Sequence, residues 1–225
     1  MKKLTILFFI CYCTLTYGQS NENKSTFVLF DAVVGQHNLG INVGIKYSEK
    51  YKTFNRNHHF LFADKFQKGE VKYNNQMYYN VSMKYDTYDD NLILKINSKT
   101  EDFPIILNRE LISFFKLNNK TFYNIKQGFY EILYKSNNIA LIKKHFSEKK
   151  ELKKNSLIYP NFTHEETLLI LKNNEFISVR KKKYFHKTFP TKKKLINVFY
   201  RMNTAMKKKN NEEFILNLIK KLDNE

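Results

Sequence analysis

Short β-type segments separated by brief polar turns dominate residues 26–179 of this 225-residue chain. Between Met77 and Tyr85, the apolar residues Val81 and Met83 alternate with polar ones, which is the period-two pattern of a half-buried strand. The turns between such segments are rich in asparagine, as at 74–76, 118–120, 136–138 and 172–174. Turns this short join antiparallel neighbours, and no strand–helix–strand alternation is present. The sequence therefore predicts a mostly antiparallel meander, folded as an open barrel or a sandwich.

A helical pattern replaces the strand pattern after Arg180. A helix is predicted from Lys181 to Phe189, followed by a second from Lys192 to Met206 with Thr191 as its N-cap. A last helix is predicted to begin at Asn210 or Asn211, and its apolar stripe consists of Phe214, Ile215, Leu218, Ile219 and Leu222. The predicted fold class is therefore α+β, with the meander followed by a C-terminal segment of two or three helices. The charged stretch 148–154 is predicted to be an exposed loop or a short helix.

The first eighteen residues have the features of a cleavable export signal. Lys2 and Lys3 precede an apolar run, Leu4–Leu15, that is too short to span a bilayer. Thr16 and Gly18 are small residues at the positions that signal peptidase requires. The predicted domains are an export signal at 1–18, a β-rich domain at 19–179, and a basic helical segment at 180–225 packed on it.

Basic residues are concentrated in the C-terminal third of the chain. The formal net charge of the whole chain is +18, and residues 147–225 contain 19 Lys and Arg against 9 Asp and Glu. Such a field attracts anionic partners, although a solvated, lysine-rich surface would have the same composition. The residues predicted to bind an anionic partner are Lys181, Lys182, Lys183, Lys187, Lys192, Lys193, Lys194 and Arg201.

The sequence lacks the residue patterns of the common catalytic sites. Both cysteines, Cys11 and Cys13, lie in the predicted export signal, so the mature chain would have no thiol for catalysis, redox chemistry or zinc binding. There is no Gly-x-Ser-x-Gly motif, and the spacing of Gly35, Gly40 and Gly44 fits no phosphate-binding loop. The sequence therefore predicts no catalytic residue, no cofactor and no metal site.

Histidines and clustered carboxylates are the remaining candidates for chemistry. His58 and His59 are adjacent, so on a strand they would face opposite sides, and residues placed so rarely share a metal ion. His164–Glu166 resembles part of a zinc-protease helix, but Leu168 stands where the second histidine is required. The other histidines are interpreted as isolated structural residues: His37, His145 and His186. An acidic segment, interpreted as a hairpin turn rather than a calcium site, contains Asp86, Asp89, Asp90 and Asn91.

Four blocks cover most of the chain after the predicted signal. They are Tyr47–Phe54 with Phe60–Phe62, Lys68–Val81 with Leu92–Lys95, Gly128–Tyr134 with Leu141–Lys144, and Phe189–Pro190 with Lys192–Lys194. Together they resemble a family of uncharacterised exported proteins that is common in Bacteroidota, especially flavobacteria. That family has no established activity, so the resemblance implies a location in the periplasm, with a β-rich body and a helical C-terminus, but no function.

The function predicted from these features is that of a non-enzymatic periplasmic protein that binds an envelope partner. The partner would be an outer-membrane protein or an anionic lipid or glycan surface, with the protein peripheral to the outer membrane. Nucleic acid is disfavoured because the protein is predicted to be exported. An enzyme acting on envelope glycans or peptides, with an unrecognised carboxylate and histidine site, is the alternative. A metal-buffering protein that uses the His58–His59 region is a third hypothesis. No transmembrane segment is predicted after removal of the signal.

Overall fold

A computed structural model of the chain describes residue 29, residues 40–96 and residues 101–224. Within these residues the predicted α+β fold is confirmed, because an antiparallel sheet of eleven strands that does not close is followed by helices. The described C-terminal region contains four helices, where the sequence predicted two or three. The predicted export signal lies outside the described residues.

The strands are β1 (Gly44–Lys46), β2 (Gln67–Tyr73), β3 (Gln76–Asp86), β4 (Asn91–Ile96), β5 (Phe103–Leu107), β6 (Ile112–Leu117), β7 (Lys120–Ile125), β8 (Gly128–Lys135), β9 (Ala140–Lys154), β10 (Leu157–Lys172) and β11 (Glu175–Ser178). The helices are α1 (Lys182–Thr188), α2 (Lys193–Met202), α3 (Thr204–Lys209) and α4 (Asn211–Asn224). Short 3-10 helices lie at Gly40–Asn42, Arg109–Leu111 and Pro190–Lys192.

The sheet consists of two meanders joined side by side. Its strand order is β1-β5-β4-β3-β2-β6-β7-β8-β9-β10-β11, so one meander runs from β2 to β5 and the other from β6 to β11. The two meanders meet where β2 pairs with β6. All neighbouring strands are antiparallel, as the short turns in the sequence predict.

Five two-residue turns connect consecutive strands within the meanders, and both residues of each turn have positive φ angles. These turns are Asn74–Asn75, Asn118–Asn119, Lys126–Gln127, Asn155–Ser156 and Asn173–Asn174. Two consecutive left-handed residues are the backbone geometry of the type I′ turn, whose twist matches that of the flanking strands. Asparagine tolerates this conformation better than most residues do, which explains why the turns are rich in asparagine.

Two clusters of buried apolar residues lie along the sheet. The first is built on β2–β8, and among its largest fully buried members are Tyr85, Phe115, Phe122 and Phe129. The second lies under the C-terminal helices, where Leu141 of β9 and Ile170 of β10 pack with Phe214, Leu218 and Leu222 of α4. The apolar stripe predicted for the last helix is therefore core.

The sheet curls so that strands distant in its order touch. Thr87, just after β3, lies beside Ser147 of β9, although five positions separate these strands in the sheet. The Ser147 N–H donates to the Thr87 carbonyl oxygen at 3.1 Å, and the two hydroxyl oxygens are 2.7 Å apart. The Thr87 hydroxyl also donates to the carbonyl oxygen of His59 at 2.7 Å. These buried contacts tie the two meanders together across the concave side.

Two local predictions from the sequence are wrong. Residues 148–154 form the outer part of β9, where pairing with β10 satisfies the backbone of a charged stretch that has no apolar alternation. Thr191 does not cap a helix, because it lies inside the 3-10 helix before α2, and α2 ends at Met202 rather than Met206. At the last helix, however, the Asn210 side chain accepts a hydrogen bond from the Glu213 N–H, so the predicted cap at Asn210 is confirmed.

Candidate functional site

One row of cross-strand partners connects the two apolar clusters. Directly opposite residues on neighbouring strands share a face of the sheet. The row runs through Val71, Phe115, Phe122, Glu131, Lys143 and Leu168. Its first three members belong to the first apolar cluster, and Leu168 packs against the second. Glu131 and Lys143 therefore place charge between two apolar regions, on the same face of the sheet.

His145 lies at the centre of the polar residues on this face. Its ring is 2% exposed, and Nε2 is 2.6 Å from Oε2 of Glu131, which is also buried. Its other nitrogen, Nδ1, is 3.2 Å from His164 Nε2 and 3.2 Å from Glu166 Oε1. Glu166 is the direct partner of His145 across the β9–β10 pair. His164 precedes Glu166 by two residues on β10, on the side nearer the turn. We call Glu131, His145, His164 and Glu166 the His–Glu cluster.

Glu131 fixes the proton on the His145 ring. Burial raises the pKa of Glu131, but hydrogen bonds from His145 and Lys120 outweigh this effect, so the pKa lies below its usual value. Lys120 Nζ is 2.5 Å from Glu131 Oε1. Because an ionised carboxylate can only accept hydrogen bonds, Nε2 of His145 must be the donor. In the neutral ring, Nδ1 then has a free lone pair directed at His164 and Glu166.

Lys143 supports the other carboxylate of the cluster. Its Nζ is 3.0 Å from Oε2 of Glu166 and also contacts Oε2 of Glu212, on helix α4. Burial lowers the pKa of Lys143, but the two carboxylates raise it by more. The pKa is therefore above its usual value, and the lysine stays charged. This contact orients Glu166 through one oxygen and leaves the other oxygen, Oε1, facing His145.

His164 has the protonation state that metal binding requires. Although His164 is exposed overall, neighbouring groups partly desolvate its ring. This desolvation and then the neighbouring His145 lower the pKa of His164, so the ring is neutral at neutral pH. One ligand atom from each of His145, His164 and Glu166 lies within 4.8 Å of the other two. Two ligands of a tetrahedral zinc ion lie about 3.3 Å apart, given bonds of about 2.0–2.1 Å. The two separations of 3.2 Å at His145 Nδ1 already match this spacing.

The donor set suits a transition metal rather than calcium or magnesium. Two imidazole nitrogens and one carboxylate oxygen are ligands typical of zinc, and of other late divalent metals. Calcium and magnesium prefer oxygen ligands alone. Glu131 behind His145 supplies the outer-shell carboxylate that commonly orients a metal-binding histidine. His164 and Glu166 are exposed, so the position between them opens to solvent.

Sequence reasoning missed this cluster because it treated His145 as isolated and considered His164–Glu166 only as part of a zinc-protease helix. The missing step was the register of the β9–β10 hairpin, whose outer part was interpreted as a loop or helix. Once Asn155–Ser156 is recognised as the turn, counting outward by equal steps places Glu166 opposite His145 and His164 opposite Ser147. Alternation then places these side chains on one face. The signal was therefore present in the sequence, in the asparagine-containing turn.

The histidines that the sequence analysis singled out as adjacent do not form a metal site. His59 is 2% exposed and packs against Phe60 and Phe162, with ring centroids 4.2 and 4.8 Å away. Its Nε2 is 3.5 Å from Oδ2 of Asp86. Among the described residues, no metal-ligand group of three includes His58 or His59. The His59–Asp86 pair is therefore part of the packed interior.

The acidic segment after β3 is a hairpin turn, as the sequence predicts. Asp86 Oδ1 accepts hydrogen bonds from the N–H groups of Tyr88 and Asp89, at 2.9 and 3.0 Å. Asp90 is bound by the Tyr85 hydroxyl and by Lys144 Nζ at 2.7 Å. The carboxylates therefore point to separate partners instead of converging.

The predicted anion-binding residues fall into two groups. Most are exposed: Lys181, Lys183, Lys187, Lys193, Lys194 and Arg201. Lys182 and Lys192 are half-buried and have local partners. Lys182 lies over the Tyr200 ring at 5.3 Å, and Lys192 donates to the carbonyl oxygen of Leu222 at 2.6 Å, near the end of α4. Lys192 therefore stabilises the helical packing, and the exposed residues form a basic surface on α1 and α2.

No protein-family model matches the chain, and no curated protein or solved structure is similar enough to count as a match. Among the helices that the structure describes, none combines the length and apolar character needed to cross a bilayer.

Proposed function

We propose that this protein binds a divalent transition-metal ion, with zinc as the best fit, through His145, His164 and Glu166. Glu131 would orient His145 from behind, and Lys143 would hold Glu166 in place. The site would use three protein ligands and leave a further coordination position on its solvent side, where His164 and Glu166 are exposed.

The environment of His145 Nδ1 is the observation that carries this proposal. In the neutral ring, Nδ1 is an acceptor 3.2 Å from a carboxylate oxygen, which is also an acceptor. Two acceptors this close repel each other unless a cation or a proton lies between them. A metal ion satisfies both atoms together with His164 Nε2.

Zinc titration of the chelator-treated protein, made without a histidine tag and read out by competition with a chromophoric chelator, tests the proposal. We expect one zinc ion per chain, and an affinity loss of at least about 100-fold in His164→Ala, because loss of an outer-shell partner alone costs 10–100-fold. His164 is exposed, so this change should leave the fold intact.

His186→Ala is the matched control, because His186 contacts Asn197 on the helices, away from the cluster. It should bind zinc as the wild type does. Equal zinc affinity in wild type and His164→Ala, or no binding by a correctly folded wild type, would contradict the proposal.

A second function, binding of an acidic envelope protein, is supported by the outer face of α2. Lys194, Val198 and Met202 are four residues apart and therefore share one face of the helix. Val198 is 43% and Met202 76% exposed, and the exposed cations of this region form no ion pair among the described residues. Exposed apolar side chains within a basic surface are typical of a protein-binding site.

Cross-linked pull-down from native envelopes tests this second function. Lys193→Glu combined with Lys194→Glu should reduce recovery of an acidic partner, because the change reverses charge at the centre of the surface. Lys208→Glu combined with Lys209→Glu changes the net charge equally on exposed residues of α3 and should have little effect. Equal recovery from both variants would remove the electrostatic part of the hypothesis.

Export to the periplasm stays a prediction from residues 1–18, and membership of the flavobacterial family stays a prediction from the four sequence blocks. The alternative of an enzyme acting on envelope glycans or peptides also stays a prediction, and the His–Glu cluster is a candidate for its site. Turnover of envelope glycans or peptides by the zinc-loaded protein, lost in His164→Ala, would favour it over a binding role.

A further inference from the structure

The β9–β10 hairpin extends well beyond its neighbours. Strand β8 pairs with β9 only up to Lys143, and β11 pairs with β10 only from Leu169. Beyond these points β9 and β10 pair only with each other in the sheet, and every residue from 148 to 158 is exposed. Seven residues of a strand span about 24 Å, so 148–154 form a long projection.

The base of this projection is fixed to the body of the protein. The side chain of Asn57 exchanges two hydrogen bonds with the backbone of Phe162, at 2.6 and 2.8 Å. Further out, the Phe54 ring lies 5.6 Å from the ring of Tyr159, and Lys154 at the outer end of β9 lies over it. The hairpin is therefore held at a defined angle, and its outer end is presented in a constant direction.

The outer end of the hairpin has apolar residues on both faces. Leu157 is 58% exposed and Ile158 64% exposed, and consecutive strand residues point to opposite faces. Lysines accompany them on each face, because Leu157 is opposite Lys154 and Ile158 is opposite Lys153. Neither lysine forms an ion pair among the described residues, and the one ring contact of Lys154, with Phe54, leaves its side chain exposed. We call Lys153, Lys154, Leu157 and Ile158 the hairpin tip.

We propose that the hairpin tip inserts into the surface of an anionic phospholipid bilayer. A bilayer surrounds an inserted tip on all sides, so it covers apolar side chains on both faces at once, whereas a second strand pairs along one edge of the hairpin. Lysines directly beside the aliphatic residues can extend to anionic headgroups while their stems lie along acyl chains. This inference is independent of the metal site and involves a different surface from α2.

The chain contains no Trp, so a single introduced Trp reports on one position alone. Ile158→Trp should give a blue-shifted emission with vesicles of phosphatidylcholine and phosphatidylglycerol, but little change with phosphatidylcholine alone. Quenching by lipids with brominated acyl chains should accompany the shift. Ile45→Trp, at an apolar position of β1 that is 74% exposed and lies outside both proposed binding surfaces, is the matched control and should not respond.

The contribution of charge is tested in the same reporter. Lys153→Glu combined with Lys154→Glu should lower partitioning into anionic vesicles by at least about tenfold. Lys208→Glu combined with Lys209→Glu should lower it much less. All four lysines are exposed, so circular dichroism should show that both variants remain folded.

An unchanged emission at position 158 overturns the proposal, and so does an equal shift at position 45. Equal partitioning of the two charge variants also overturns it. A shift that needs envelope proteins, and that pure lipid vesicles do not produce, would assign the tip to a protein partner instead. All the variants share residues 1–18, so lipid binding by those residues would affect every variant equally. It cannot produce the expected difference between the tip variants and their controls.

Discussion

At the scale of single residues, Glu131 has the strongest influence on the candidate metal site without binding the metal. It is buried and ionised, and it determines which nitrogen of His145 carries the proton. Lys120 compensates the charge of Glu131 on its other oxygen. The availability of His145 Nδ1 as a ligand therefore depends on a carboxylate that lies behind the ring.

Replacing Glu131 with Gln should weaken zinc binding by about 10–100-fold while all three ligands remain. Glutamine is neutral and can approach the ring with its amide, so it no longer enforces the Nε2–H form of His145. Competition titration with a chromophoric chelator measures the effect. Glu175→Gln, on an exposed residue of β11, should bind zinc normally, and equal affinities in the two variants would show that Glu131 does not orient the ring.

At the scale of elements, the two-residue turns set the register of every hairpin in which they occur. Four of the five described turns contain asparagine, whereas Lys126–Gln127 does not. Residues other than glycine, asparagine and aspartate are strained by about 1–2 kcal/mol in the left-handed region. The Lys126–Gln127 turn is therefore more strained than the four turns that contain asparagine.

Gln127→Gly should stabilise the protein by about 0.5–1 kcal/mol, because glycine adopts the φ of 61° without strain. The gain is smaller than the strain, since glycine also makes the unfolded chain more flexible. Gln127→Val should destabilise, because branching at Cβ is unfavourable at positive φ. The midpoint of urea unfolding measures both, and a lower midpoint for Gln127→Gly would mean that the Gln127 side chain has a stabilising role.

At the scale of the whole molecule, the contact between Thr87 and Ser147 joins the two meanders. It connects strands that are far apart in the sheet order, so it forms only when the whole sheet has its final curvature. The His59 carbonyl oxygen is part of the same network, which adds the loop before β2. His145 of the His–Glu cluster lies on the same strand, two residues from Ser147.

A double-mutant cycle with Thr87→Val and Ser147→Ala should give a coupling energy of about 0.5–1.5 kcal/mol, the usual net worth of a buried hydrogen bond. Thr87→Val alone should lower the free energy of unfolding more than Ser147→Ala does, because it also leaves the His59 carbonyl oxygen without its hydroxyl donor. Urea unfolding of the four proteins provides the energies. Strict additivity would show that the hydroxyl pair does not stabilise the curled sheet.

Local features were predictable from the sequence, whereas the long-range arrangement was not. Alternation at Val81, Met83 and Tyr85 and the asparagine turns were enough for the antiparallel meander. The charged outer part of β9 has no alternation because both of its faces are solvated, so it could not be recognised as a strand. The row that joins Phe115 to Lys143 through Phe122 and Glu131 depends on three successive registers, and one error in any of them moves every side chain to the opposite face.

Lys143 gives the C-terminal helices a dependence on the sheet that the chain order does not reveal. This buried cation contacts one carboxylate from β10 and one from α4. A chimeric protein in which another helical segment replaced this one would lack Glu212. Lys143 would then keep only one of its two carboxylate partners, and an incompletely paired buried charge is strongly destabilising. The segment beginning at residue 180 is therefore not an interchangeable module. A substitution at Lys143 in the sheet or at Glu212 in α4 would require a compensating change at the other residue.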